Sequence, residues 1–221
     1  MDSGKLSKLM ERFKCVKLPD GTLATCPVRV SFASLFEPRE KDDGSKEYTG
    51  CFIFPVGADL SPLMNRVIEH ATNKFGAKAA ERFKLPEGNP DRLIHPFKAS
   101  DRLAEKYDGF VAGGRHVNAG SKFQPKMYDA ALNEITSPDD IYSGVWVRAK
   151  FRVYDYDKRG KRGVSFGLVS LQKLADDDRF GSDASEGFEA VTDGPVVSSG
   201  SATKANGTTA PAPQPASDMF N

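Results

Sequence analysis

The stretch 144–156 constrains the fold more than any other. Val145, Val147, Ala149, Phe151 and Val153 fall on one side of a two-residue period, and Trp146, Arg148, Lys150, Arg152, Tyr154 and Tyr156 fall on the other. Extended backbone sorts residues this way, because successive side chains point to opposite faces of a strand. The first set is a core face. The second interleaves aromatic rings with cations and meets no acid until Asp155.

The rest of the chain supplies partners for such a strand. Residues 24–33 alternate, with Val28, Val30 and Phe32 pointing one way and Arg29 and Ser31 the other. Residues 39–46 read as a charged loop, and residues 47–55 as a strand ended by Pro55. Residues 115–119 and 126–129 read as short strands. Residues 163–172 return from the long strand across Lys158, Arg159, Gly160, Lys161 and Arg162, a hairpin connection. The clearest helix is 61–76: Ser61 can cap it, Pro62 suits N1, and Gly76 suits the position after the end. Its stripe of Leu63, Met64, Val67, Ile68, Ala71 and Phe75 is a core face. Several strands, one good helix and no βαβ alternation predict a small, mainly β antiparallel barrel with the α-helix inserted between strands.

Charge divides the 221-residue chain. Residues 175–221 hold Asp176, Asp177, Asp178, Asp183, Glu186, Glu189, Asp193 and Asp218 against Arg179 and Lys204, a net −6 within a total of +1. The body is therefore +7. Ser, Thr, Gly, Ala, Pro and Asn dominate 194–217, so the tail is expected to be disordered. Residues 1–23 read as an N-terminal extension, with Leu6, Leu9, Met10 and Phe13 at helical spacing; 24–174 is the domain and 175–221 the acidic tail. Met1 to Lys5 lead into no apolar run, so no secretory signal is expected. No apolar run is long enough for a membrane helix. Cys15, Cys26 and Cys51 are odd in number and loosely spaced, which fits a reducing cytoplasm better than a disulfide scaffold.

A basic body calls for a polyanion. Single-stranded nucleic acid offers exposed base faces and a phosphate at every nucleotide. Aromatic rings stack on the bases, at about 1–3 kcal/mol each by alanine substitution. Lys and Arg neutralise phosphates and release counterions. Both must share one surface, and the polar face of 144–156 carries both. The candidate contacts are Trp146, Arg148, Lys150, Arg152, Tyr154 and Tyr156, with Lys158, Arg159, Lys161 and Arg162 as a basic finger. Arg29, Tyr48, Lys122 and Phe123 could extend the groove. Chemistry that cleaves or turns over is poorly served. No GxxxxGK[ST] loop, CxxC or HExxH occurs, and the three histidines are scattered, so no cofactor, metal or catalytic residue is expected. Two rivals remain: a metal-dependent nuclease using Asp139 and Asp140, and an RNA-binding or strand-annealing module.

Four blocks are familiar in their order: Arg29-Val30-Ser31-Phe32-Ala33-Ser34-Leu35-Phe36-Glu37-Pro38; Tyr48-Thr49-Gly50; Tyr142-Ser143-Gly144-Val145-Trp146; and Gly163-Val164-Ser165-Phe166-Gly167-Leu168 followed by Leu171-Gln172. Over about 24–174 the chain resembles a family of tailed-phage single-stranded DNA-binding proteins, formerly a domain of unknown function. The resemblance implies an OB fold, a five-stranded barrel cradling single-stranded DNA. It also implies strand protection in phage replication and recombination within the host cytoplasm, and no enzymatic activity. An acidic C-terminal tail that contacts replication or recombination proteins and competes with DNA would be typical. Asp218, Met219 and Phe220 are its candidate docking residues here, and a homodimer is a further partner to test.

Overall fold

The structure is a computed structural model and describes residues 3–158 and 160–181. Arg159, the tail beyond residue 181 and its candidates Asp218, Met219 and Phe220 lie outside the described residues. The strands are β1 (Val16–Lys17), β2 (Leu23–Ala24), β3 (Val28–Glu40), β4 (Lys46–Phe54), β5 (Leu93–Ile94), β6 (Lys98–Ala99), β7 (Arg115–Ser121), β8 (Lys126–Tyr128), β9 (Trp146–Lys158) and β10 (Lys161–Ala175). The helices are α1 (Ser3–Arg12), α2 (Ser61–Phe75), α3 (Ala79–Arg82) and α4 (Asp101–Ala104).

Five of the strands pair in a closed circuit. β3 pairs with β4, and β4 with β7, both antiparallel. β7 then pairs with β10 in parallel, at Ala119 opposite Phe166. β10 pairs antiparallel with β9 along its whole length, and β9 returns to β3 at Val147 opposite Val28. The expectation of an all-antiparallel barrel is corrected at β7–β10, and the reason is parity. An odd number of strands in a ring cannot alternate direction at every seam, so at least one seam must be parallel.

The inward residues fill this ring. Phe52, Phe54, Phe151 and Phe166 are fully buried with Val28, Val30, Val117 and Leu171. Phe151 stacks on Phe166 at 5.2 Å between centroids and meets Phe52 edge-on at 5.1 Å. Each such burial stabilises by roughly 1.5–3 kcal/mol. α2 lies between β4 and β7 in the chain, as the sequence predicted, and buries Leu63, Val67 and Ala71. Ser61 is its first residue rather than its cap; Asp59 accepts from the Ser61 N–H just outside. Gly76 ends it at φ +89°, a conformation costly for any other residue.

Two boundaries shift. β3 and β4 run into both ends of the expected charged loop, leaving 41–45 as the turn. The N-terminal extension is also less separate than its sequence suggested. Cys15 and Leu23 are buried in the barrel core, and β2 pairs with β9 at Phe151 and Lys150. At the other end, 176–181 is described and lies against the barrel. Tyr142 donates to Asp176, and the Phe180 N–H donates to the Ser143 carbonyl.

β5 seats directly on β10. A Cβ at Gly163 would lie 2.4 Å from the Ile94 carbonyl oxygen, which belongs to backbone and cannot swing away. Gly163→Ala is therefore expected to destabilise by about 1–3 kcal/mol in urea denaturation. An unchanged midpoint would show that β5 does not sit there.

Candidate nucleic-acid interface

The outward face of β9 is divided by what covers it. At its start Trp146 is only 6% exposed, and its Nε1–H donates to Asp177 Oδ2 at 2.7 Å. Burial raises the Asp177 pKa, but its hydrogen bonds, that from Trp146 among them, and the Arg29 charge together outweigh it and hold the carboxyl down at about 2. Arg29 is enclosed in the same place. It donates to the carbonyls of Gly144 and Asp178 at 2.8 and 2.7 Å, and its guanidinium lies 4.1 Å from the Phe180 ring centroid. Burial pulls its pKa below the usual arginine range, opposed by Asp177 and Asp178. Trp146 is thus buried and Arg29 only partly exposed, whereas the sequence reading placed both on an open groove.

The middle of the strand is covered by residues 13–25. Arg148 donates to the Thr25 and Lys14 carbonyls and packs over Phe13. Lys150 pairs with Asp20 at 2.8 Å. Both cations contact the N-terminal segment in this way. Sequence periodicity placed them on the correct face but carried no sign of the segment that lies across it.

Beyond Lys150 the face opens. Arg152 is exposed, lies against Gly167, and makes no ion pair among the described residues. Tyr154 is 41% exposed. Tyr156 is half-buried, and burial, then the neighbouring Tyr154, raises its hydroxyl pKa. Lys158 and Lys161 are exposed at the hairpin; Arg162 donates to the Pro90 carbonyl and lies 3.9 Å from Asp157. The nearby Asp155 is held by His70 at 3.1 Å and Lys74 at 3.3 Å on α2.

Three cavities with shared lining residues lie around this open end. One lies beside the β9–β10 hairpin, over Lys98, Asn118, Tyr154, Tyr156 and Lys158, with Asp155 and Asp157 also in its wall. A second contains Phe32, Ser34, Arg39, Thr49 and Asn118. They share Asn118, an exposed residue of β7. The third lies at the β3–β4 turn, shares Arg39 and Thr49 with the second and Lys158 with the first, and also holds Glu40, Asp42, Asp43 and Glu47. Arg39, Lys98 and Lys158 make no ion pair among the described residues, whereas Lys41 in the third cavity is paired with Glu47 at 2.6 Å. Tyr48, Lys122 and Phe123 line none of the three; Phe123 is 82% exposed on a loop, and Tyr48 pairs across from Ser121.

Sequence reasoning therefore missed Arg39, Lys98, Asn118 and Phe32. Arg39 was hidden in an apparent loop. Lys98 and Asn118 carry no local signal, since only strand pairing brings them beside the hairpin.

The model of the single-stranded DNA-binding protein family of Enterobacter phage Enc34 matches residues 22–195. The chain belongs to that family. Among solved structures it is similar to the single-stranded DNA-binding protein of bacteriophage Enc34 in complex with single-stranded DNA. The TM-score is 0.61 at 20% identity, over 75% of this chain and 93% of that one. A C-terminal truncation of the same phage protein gives 0.60 at 20% identity, over 75% and 92%. The single-stranded DNA-binding protein gp2.5 of bacteriophage T7 gives 0.51 at 14% identity, over 80% and 98%. At these identities the likeness establishes the fold. No curated protein matches the sequence. Among the described residues, no group of three or more His, Cys, Asp or Glu is placed to hold a metal, and no helix is long and apolar enough to cross a membrane. Asp139 and Asp140 lie in a short 3₁₀ turn, with Asp140 3.7 Å from Lys173.

The division of β9 has a direct test. Arg148→Ala is expected to lower stability by about 1–3 kcal/mol, because it strands the Thr25 carbonyl. Arg152→Ala is expected to stay within about 0.5 kcal/mol of the parent. Equal losses in chemical denaturation would contradict the division.

Proposed function

We propose that the chain binds single-stranded DNA on an OB-type five-stranded barrel, largely without sequence preference, and protects exposed strands during phage DNA replication and recombination in the host cytoplasm. Family membership supports this reading. The observation that carries it is a set of neighbouring cavities with shared lining: Lys98 and Lys158 lie beside Tyr154 and Tyr156 in one, Arg39 lines the two next to it, and none of the three cations has an ion pair among the described residues. Unpaired cations can neutralise a phosphate backbone, and open tyrosine rings accept any base face. The groove crosses β4 and β7 between the two hairpin turns, the surface that OB barrels use for oligonucleotides.

On this reading the contacts are Arg39, Lys98, Arg152, Tyr154, Tyr156, Lys158 and Lys161. Arg29, Trp146, Arg148 and Lys150 build the barrel's cover instead. The action is binding without catalysis, and the acidic tail with Asp218, Met219 and Phe220 docks replication partners.

Fluorescence anisotropy of a labelled poly-dT oligomer over a salt series checks the proposal. Changing Arg39, Lys98 and Lys158 together to Ala is expected to weaken binding and to flatten the log–log salt slope by about 2, at about 0.7 for each phosphate no longer neutralised. Tyr154→Ala is expected to cost about 1–3 kcal/mol with the slope intact. An unaltered slope in the triple variant would remove the groove from the binding surface.

A further inference from the structure

Phe32 breaks the rule that its own strand sets. Val28 and Val30 point into the barrel, and a period of two would send Phe32 in after them. Instead the register of β3 against β4 shifts between Ser31 and Ser34, and Phe32 takes φ +50°. That left-handed conformation is rare for a bulky aromatic residue and is held only where the surroundings impose it. The result is a phenylalanine that is 52% exposed. Its backbone is strained and its apolar ring is given up by the core, and both costs fall at one residue.

The ring is not loose. It meets Tyr107 edge-on at 5.1 Å, and Tyr107 is itself 47% exposed. Behind them Phe110 lies 6.3 Å away and is buried against Cys51 and Ile53. Phe32 is thus braced on one side and open on the other. The open side faces the cavity that it shares with Ser34, Arg39, Thr49 and Asn118. Beside the ring, Ala33 and Cys51, that lining carries hydroxyls, an amide and a guanidinium. An apolar protein segment would leave these groups without hydrogen-bond partners. A nucleotide would use both kinds of surface.

Resting on the single-stranded DNA reading above, we propose that Phe32, braced by Tyr107, is a base-stacking platform at the β3 end of the groove. Its ring takes the face of one unpaired base while Arg39 meets the adjoining phosphate. The β3 bulge exists to turn this ring out of the core. The groove then has two aromatic stations, Phe32 at one end and Tyr154 at the other, with Asn118 between them.

The full-length chain tests this with two variants. Phe32→Gly relieves the positive φ, so its thermal midpoint should match or exceed that of Phe32→Ala. It should nevertheless bind poly-dT roughly ten- to hundred-fold more weakly than the parent, with an unchanged salt slope because no charge is removed. Phe32→Trp should retain affinity and add a fluorophore whose emission poly-dT quenches, beyond any change in the parent's buried Trp146. Parental affinity in Phe32→Gly, or a Phe32→Trp signal that bound DNA leaves unquenched, would overturn the assignment and leave the platform to a protein partner. The parent is measured first. If it does not bind poly-dT at low salt, the underlying reading fails; if it binds and Phe32→Gly binds equally, only the stacking platform fails.

Discussion

Val147 of β9 lies opposite Val28 of β3, and at that short seam the sheet closes on itself. Closure removes the open edges that a five-stranded sheet would otherwise present. It encloses one core, in which Phe52, Phe151 and Phe166 touch through their rings. It also fixes direction, since five strands cannot alternate around a ring and β10 must run parallel to β7. That parallel seam brings β10 alongside Ala119 and Gly120, and it carries the β9–β10 hairpin toward the outer surface of β7. The groove around Asn118 follows from this arrangement.

The outer surface of β9 is a second consequence. A strand this long carries more polar surface than one ligand needs, and the chain covers part of it with its own segments. Residues 13–25 take up Arg148 and Lys150, and 176–181 take up Arg29 and Trp146. A half-buried guanidinium is held by carbonyl acceptors, because a charge withdrawn from water must have its donors satisfied. The same residue types therefore do two jobs along one strand. Near the barrel's closure they fasten segments, and near the hairpin they stay open to a polyanion.

What could be read in advance follows local rules. The inward set Val145 to Val153, the helix 61–76 with Pro62 and Gly76, and the glycine-bearing hairpin are all decided by neighbours in sequence. What could not be read depends on contacts across the chain. Phe32 looked like core because alternation has no means of announcing a bulge. Arg39 looked like loop because the charged run conceals two paired strands. Trp146 looked like a stacking ring because Asp177, thirty-one residues away in sequence, is what covers it.

By itself, then, the sequence determined the strand faces, the inserted helix, the basic body and the acidic tail, since periodicity and charge are properties of short windows of chain. Only the tertiary structure decided which cations remain available, that β10 lies parallel to β7, and that Phe32 turns outward. Each of these depends on the pairing of strands distant in sequence, and a side chain's partner is set by which strand the ring's closure brings beside it.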